Sequence, residues 1–131
     1  MVANRFTAYS GTTLENYMTC ATLVGNEVEF DKSREPEHFY REIYYEDNLI
    51  IAINQSINLA KTLNHFPLVM EGKLEAFYKD RFHLEIGECF PVNKVYIPKS
   101  AVVSADLTVF EEGNGNLNVI FTELNPLCLL R

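Results

Sequence analysis

Two spacings of apolar residues alternate along the chain, one typical of strands and one typical of helices. Residues 5–9 and 28–30 have the pattern of short strands, while Thr12-Thr13-Leu14-Glu15 has the spacing of a helix capping box. Apolar residues then recur at helical spacing as far as Val24. The pattern predicts a first helix that ends at Gly25, a residue that readily adopts the left-handed conformation.

The middle of the chain contains an apolar run, residues 49–53, with no polar side. Such a run is typical of a central strand covered on both faces, and it predicts that Ile51 and Ile53 are both buried. Around it we expect a brief helix at residues 35–42, a strand at residues 43–45, and a second helix from Ser56 to Asn64.

From Lys73 onwards the pattern favours strands. Alternation predicts strand segments around Leu74-Ala76-Tyr78, Phe82-Leu84-Ile86 and Val95-Ile97, and a hairpin that joins residues 107–110 to 117–121 across the turn at 111–116. The predicted fold class is α+β: a single domain over residues 1–131, with a mixed β-sheet, two or three short helices and a β-rich C-terminal half.

The composition of the chain limits the kinds of partner that it can bind. The chain has 131 residues, is 47% hydrophobic, and carries 11 basic and 18 acidic side chains, for a net charge of −7. This charge opposes binding to nucleic acid or to an anionic membrane but permits a basic protein partner. There is no apolar run of the roughly 20 residues that a membrane span needs, and the first residues do not resemble a signal peptide. We therefore expect a cytoplasmic protein, which means the host cytoplasm if the protein is viral.

The residues that usually carry catalysis or bind metals are scattered. Cys20, Cys89 and Cys128 form no CxxC pair, and they are expected to be small core residues in a reducing compartment. The three histidines have no ligand-like spacing, and nucleotide-binding or hydrolase motifs are not found. We predict no metal and no cofactor, and we favour a binding protein over an enzyme.

One segment has the pattern of an anion site. If residues 49–53 form a strand, then Asn54-Gln55-Ser56 is a polar turn that leads into a helix, whose first N–H groups could bind a phosphate or carboxylate. The alternative is that Asn54 or Ser56 only caps the helix. Ser10 follows the first strand in a similar position. The aromatic and basic stretch at residues 77–99 could supply ring faces and cations, or could belong to the core. The predicted ligand-binding residues are Ser10, Asn54, Gln55, Ser56, Arg81, Phe82 and Asn93.

Two segments resemble a known family. Ala8-Tyr9-Ser10 and Leu49-Ile50-x-Ala52-Ile53-x-x-Ser56-Ile57-Asn58-Leu59-x-x-Thr62-Leu63 are similar to the corresponding stretches of the small ring nucleases of archaeal viruses and phages. That resemblance implies a homodimer that binds cyclic oligoadenylate and defeats CRISPR immunity. The family's catalytic histidine is replaced by Asn54-Gln55, and residues 88–131 are unrelated. The resemblance therefore implies binding of the signal without its cleavage.

Three functions follow from these observations. The first is a non-catalytic protein, encoded by a virus or phage, that sequesters a small anionic nucleotide-like signal. The second is an acidic inhibitor of the immunity or antitoxin type that covers a basic surface of its partner. The third is a ring-nuclease-like phosphodiesterase. We also expect a homo-oligomer, because about half of the residues are apolar and several predicted strands carry aromatic residues on both faces.

Overall fold

Antiparallel pairing dominates the structure, a computed structural model that describes residues 4–34, 43–81, 83–85, 87–98, 108–111 and 120–130. In chain order its strands are β1 (Arg5–Thr13), β2 (Ala21–Val24), β3 (Glu27–Phe30), β4 (Ile43–Tyr44), β5 (Pro67–Glu75), β6 (His83–Leu84), β7 (Phe90–Val92), β8 (Lys94–Pro98), β9 (Thr108–Glu111) and β10 (Ile120–Leu124). The helices are α1 (Leu14–Cys20) and α2 (Leu49–Leu63), with 3₁₀ turns at Lys32–Arg34, Ala76–Asp80 and Pro126–Leu129.

The strands form a five-stranded sheet in the order β1-β5-β8-β10-β9, a three-stranded sheet β2-β3-β7 and a two-stranded sheet β4-β6. The predicted α+β class is confirmed. Every ladder between described strands is antiparallel, so the mixed sheet that we expected is antiparallel in this part of the chain. The predicted pairing near the C-terminus is present as β9–β10, but Glu111, which was expected in the turn, lies in β9 and pairs with Ile120; residues 112–119 lie outside the described residues.

Two apolar clusters lie on opposite faces of the five-stranded sheet. The larger one joins that sheet to α1 and to the three-stranded sheet, and includes Tyr17, Phe30, Met70 and Phe90. The smaller one lies beneath α2. Helix, large sheet and small sheet therefore form three layers, and β1 is an edge strand of the middle layer.

The first helix is shorter than predicted. Thr13 is its N-cap, accepting a hydrogen bond from the Asn16 N–H at 3.1 Å. The helix ends at Cys20 because the next residues pair with β3, and Gly25 (φ +63°) forms the turn of the β2–β3 hairpin instead of a helix cap. The prediction of a helix to Val24 is wrong, since cross-strand pairing of these residues outweighs their helical spacing.

The prediction of a central strand at residues 49–53 is also wrong. Asn48 caps the helix by accepting hydrogen bonds from the Ile50 and Ile51 N–H groups, so α2 begins at Leu49 and contains the whole apolar run. Ile53 is fully buried as predicted, whereas Ile51 is 43% exposed because it lies on the outer side of the helix. The helix ends at Asn64, which adopts the left-handed conformation.

Smaller corrections concern two further elements and the cysteines. The strand expected beyond Lys73 already begins at Pro67, and the alternation through Tyr78 ends in a 3₁₀ turn rather than a strand. No disulfide joins the three cysteines. Cys20 is buried in the core, but Cys89 is half-buried and Cys128 is exposed, so the core role holds for Cys20 alone. The helix predicted at residues 35–42 lies outside the described residues.

Candidate functional site

A pocket of about 300 Å³ lies at the free edge of β1, between α2 on one side and the β3–β4 region on the other. This is the lower end of the size range of small-molecule sites. Strand β1 and α2 contribute both polar and main-chain atoms, and the neighbouring elements contribute mostly apolar side chains. The pocket is lined by Ser10, Gly11, Thr12, Phe30, Lys32, Ile43, Tyr44, Gln55, Leu59 and Met70.

The absence of a side chain at Gly11 allows α2 to lie close to β1. A Cβ atom at this position would lie 2.6 Å from the Ala52 carbonyl oxygen and 2.8 Å from the Ser56 nitrogen, both of them main-chain atoms of the helix. Any other residue would push α2 away from the strand. The close approach brings Gln55, which is in the second turn of α2, to the pocket beside Gly11.

On the side away from α2, the pocket exists because main-chain pairing along the outer edge of β1 stops after Tyr9. Tyr9 and Glu46 exchange two main-chain hydrogen bonds of 2.7 Å, which form an isolated bridge. At the next residue of β1, the Ser10 hydroxyl donates to the Tyr44 carbonyl at 2.6 Å. Gln55 Nε2 donates to the Glu46 carboxylate at 3.3 Å, and this bond helps to orient the amide at the pocket.

Thr12 has an unusual environment. Its side chain is only 5% exposed and the residue lines the pocket, yet its hydroxyl makes no hydrogen bond to any residue that the structure describes. Buried hydroxyls almost always have a partner, because leaving one without a partner costs about 1–3 kcal/mol. By contrast Thr122, which is fully buried, donates to the Ile97 carbonyl at 3.2 Å.

The remaining lining residues determine what the pocket can bind. Phe30, Ile43 and Met70 are buried and provide apolar surface, and Leu59 adds apolar surface from α2. Lys32 provides a cation. Tyr44 is 50% exposed, and its ring contacts the His83 ring with 5.9 Å between the ring centroids. Apolar walls with a few polar groups are typical of sites that bind a small organic molecule.

The structure brings two of the predicted site residues together, Ser10 and Gln55. The strand–turn–helix predicted around residues 54–56 is wrong, because these residues lie inside α2 and their N–H groups belong to the helix rather than to its start. Asn54 is exposed on the helix surface. Ser56 is fully buried, and its hydroxyl donates to the Ile53 carbonyl at 2.7 Å.

Arg81 and Asn93 do not line the pocket. Arg81 forms an ion pair of 2.6 Å with Glu88. This bond, with hydrogen bonds from the Glu85 N–H and the Tyr78 hydroxyl, lowers the pKa of Glu88 to about 2. Asn93 is the single residue between β7 and β8, where the chain passes from the small sheet to the large one, and its N–H donates to the Glu71 carbonyl. Phe82 lies outside the described residues.

A second polar group lies on the α2 face of the large sheet. The Tyr96 hydroxyl donates to Glu71 at 2.7 Å, and Lys94 Nζ lies 3.1 Å from a Glu123 carboxylate oxygen. Burial, followed by the hydrogen bond to Glu71, raises the pKa of Tyr96 well above its ordinary value. Tyr96 therefore stays protonated at neutral pH and cannot act as a base. Because these side chains satisfy one another, the group has the character of a structural network.

Neither a metal site nor a membrane-spanning helix is found among the described residues. No three His, Cys, Asp or Glu side chains come together there in a way that could hold a metal ion. Within the same residues, no helix combines the length and the apolar character that crossing a membrane requires.

Comparison with known proteins adds no relative. No protein-family model matches the chain, and neither a curated protein nor a solved structure matches it. The resemblance to the ring nucleases stays a prediction that rests on the residues quoted for it. In the structure its two segments are in contact, because β1 packs along α2.

Proposed function

We propose that this chain is a non-catalytic binding protein that holds one small nucleotide-like anion in the pocket beside β1. The observation that carries the proposal is the Thr12 hydroxyl, which is buried at the pocket without a described hydrogen-bond partner. A bound ligand would satisfy this hydroxyl and recover the free energy that its isolation costs. Ser10 and Gln55, both predicted from the sequence, line the same pocket and support the same proposal.

The chemistry of the lining residues supports a ligand that has both a planar ring and a negative charge. Tyr44 offers a half-exposed aromatic face, and stacking of a base on an aromatic side chain contributes about 1–3 kcal/mol. Lys32 offers the positive charge that a phosphate or carboxylate needs. The apolar walls exclude water from the ring.

Pocket size favours one nucleotide over a large cyclic oligonucleotide. At about 300 Å³ the pocket is at the lower limit of the range for drug-sized ligands, and a ring of several nucleotides could enter only in part. The proposed role is sequestration of a small signal in the cytoplasm, as expected of a viral or phage protein that counters host defence. A homo-oligomer remains part of this proposal, and light scattering at micromolar concentration tests it.

The first experiment tests the Thr12 observation without any ligand. Thr12→Val removes a hydroxyl that has no described partner, so it should cost no stability, whereas Thr122→Val removes a partnered hydroxyl and should cost about 1 kcal/mol. Urea denaturation measures both. If Thr12→Val destabilises the protein as much as Thr122→Val does, the hydroxyl has a structural partner and the argument for a ligand is lost.

The second experiment measures binding directly. Thermal shift and calorimetry with nucleoside monophosphates, cyclic dinucleotides and cyclic oligoadenylates should give one class of ligand that stabilises the fold. Lys32→Met should weaken this binding at least tenfold. Lys61→Met makes the same charge change on the exposed side of α2, away from the pocket, and should leave binding unchanged. The ligand should be recovered intact from denatured protein.

Other outcomes would favour the other functions. Recovery of a linear product from a cyclic oligoadenylate would favour the phosphodiesterase. The acidic inhibitor would be favoured if no nucleotide bound and a basic protein bound with an affinity that falls steeply as salt is added.

A further inference from the structure

The N–H and C=O groups of successive residues in β1 point to alternate sides of the strand. This alternation determines which atoms of Gly11 face the pocket. In an antiparallel strand the N–H and C=O groups of residues i and i+2 point to the same side. Those of Tyr9 point away from β5, since both bond to Glu46. The N–H and C=O of Gly11 therefore point outward as well, and because glycine has no side chain, the atoms with which it lines the pocket are main-chain atoms.

Gly11 pairs with Val69 on the β5 side, but on its outward side it has no ladder partner among the described strands. The bridge at Tyr9–Glu46 would place Tyr44 opposite Gly11 if it continued, but β1 and β4 belong to different sheets. The Ser10 hydroxyl bonds instead to the Tyr44 carbonyl, the group that a continued ladder would present to the Gly11 N–H. The edge of β1 is thus held open next to the pocket by a specific side-chain contact.

The layers on either side of this edge leave space for a flat group. Leu59 and Gln55 come from α2, which covers one face of the large sheet, whereas Phe30 and Ile43 lie towards the opposite face. A planar ring that continues the sheet beyond Gly11 would therefore have Leu59 against one face and Phe30 against the other.

Resting on the proposed function, we propose that Gly11 recognises the ligand's ring through its main-chain N–H and C=O. The ligand class is then a nucleobase that carries a hydrogen-bond donor next to an acceptor on one edge, paired with Gly11 as a neighbouring strand would be. Lys32 takes the phosphate. A residue with a side chain could not take the place of Gly11, because the close approach of α2 leaves no space for a Cβ atom at this position.

The test compares ligands that differ only at the base. With the full-length chain, calorimetry is performed on the four ribonucleoside monophosphates, on ribose 5-phosphate, and on the tightest-binding nucleotide with the donor nitrogen of its edge methylated. We expect ribose 5-phosphate and the methylated nucleotide to bind at least tenfold more weakly than the parent, about the loss expected for one hydrogen bond. The Gly11 amide should also shift and exchange more slowly in NMR spectra when the parent nucleotide is bound.

The outcomes separate the two proposals. If the methylated nucleotide binds as tightly as its parent, while Lys32→Met weakens both, the pocket binds nucleotides but Gly11 does not recognise the base. An unchanged Gly11 amide in the presence of a nucleotide that binds leads to the same conclusion. If none of the monophosphates, cyclic dinucleotides and cyclic oligoadenylates binds, the proposed function itself fails and recognition by Gly11 fails with it.

Discussion

Replacing Ile51 and Ile53 separately by alanine tests whether the apolar run at residues 49–53 is a helix. In a strand, residues two apart point to the same face, so both substitutions would remove a buried side chain. In α2 the same two residues are separated by about 200° around the helix axis, which places them on opposite sides. Ile53 is fully buried and Ile51 is 43% exposed.

The structure gives the size of the expected difference. Ile53 belongs to the cluster beneath α2, where it packs with Val69, Tyr96 and Phe121 of the large sheet. Truncation of such a residue to alanine costs about 2–5 kcal/mol, including the cavity that remains. Ile51→Ala removes a partly exposed side chain and gains a few tenths of a kcal/mol in helix propensity, so its net cost should be below about 1 kcal/mol.

Urea denaturation followed by far-ultraviolet circular dichroism measures both variants. The midpoint of Ile53→Ala should fall clearly below that of Ile51→Ala at an unchanged m-value. In a thermal melt the separation should be roughly 3–5 °C for each kcal/mol. Equal losses for the two variants would contradict the helix, and a larger loss for Ile51→Ala would contradict the packing of α2 on the sheet.

Two further predictions concern the contact between the sheets and the acid limit of stability. Gly72→Ala would place a Cβ atom 1.9 Å from the Pro91 carbonyl oxygen, so the sheets must separate and a thermal melt should report a loss of at least about 1–3 kcal/mol. Since the folded-state pKa of Glu88 is about 2, below its ordinary value of 4.5, its ion pair with Arg81 stabilises the protein above about pH 4.5 and is lost as the pH falls towards 2. Glu88→Gln should remove this pH dependence in denaturation curves, whereas Glu27→Gln, a charge-matched surface control, should retain it.

The class of fold could be predicted from the sequence, but the ends of the elements could not. The alternation and the turn residues correctly indicated β1 and the β9–β10 pair, because neighbouring residues determine both features. The run at residues 49–53 is rich in β-branched residues, a composition that favours a strand. The deciding residue was Asn48, whose side chain bonds two N–H groups of α2, and which the sequence pattern equally allows as a turn residue.

The candidate site depends on contacts that no local pattern describes. Gln55 was predicted as a ligand residue from a strand–turn–helix that does not form, and Ser10 from the end of a first strand that in fact continues to Thr13. Tyr44 is placed at the pocket by the bridge between Tyr9 and Glu46, and Lys32 by the turn after β3, so both depend on contacts between distant segments. Gly11 offered a usable signal, since a glycine inside a strand pattern often marks the close approach of another main chain.

The pairing of β1 with β5 has a consequence for synthesis of the chain. Thr13 pairs with Pro67, so a further 67 − 13 = 54 residues must be translated after Thr13 before this pair can form. At about 5–20 residues per second, the ribosome needs roughly 3–11 s to make this stretch. During that interval β1 can pair with strands of other nascent chains. The yield of folded protein should therefore fall as the density of ribosomes on its messenger RNA rises.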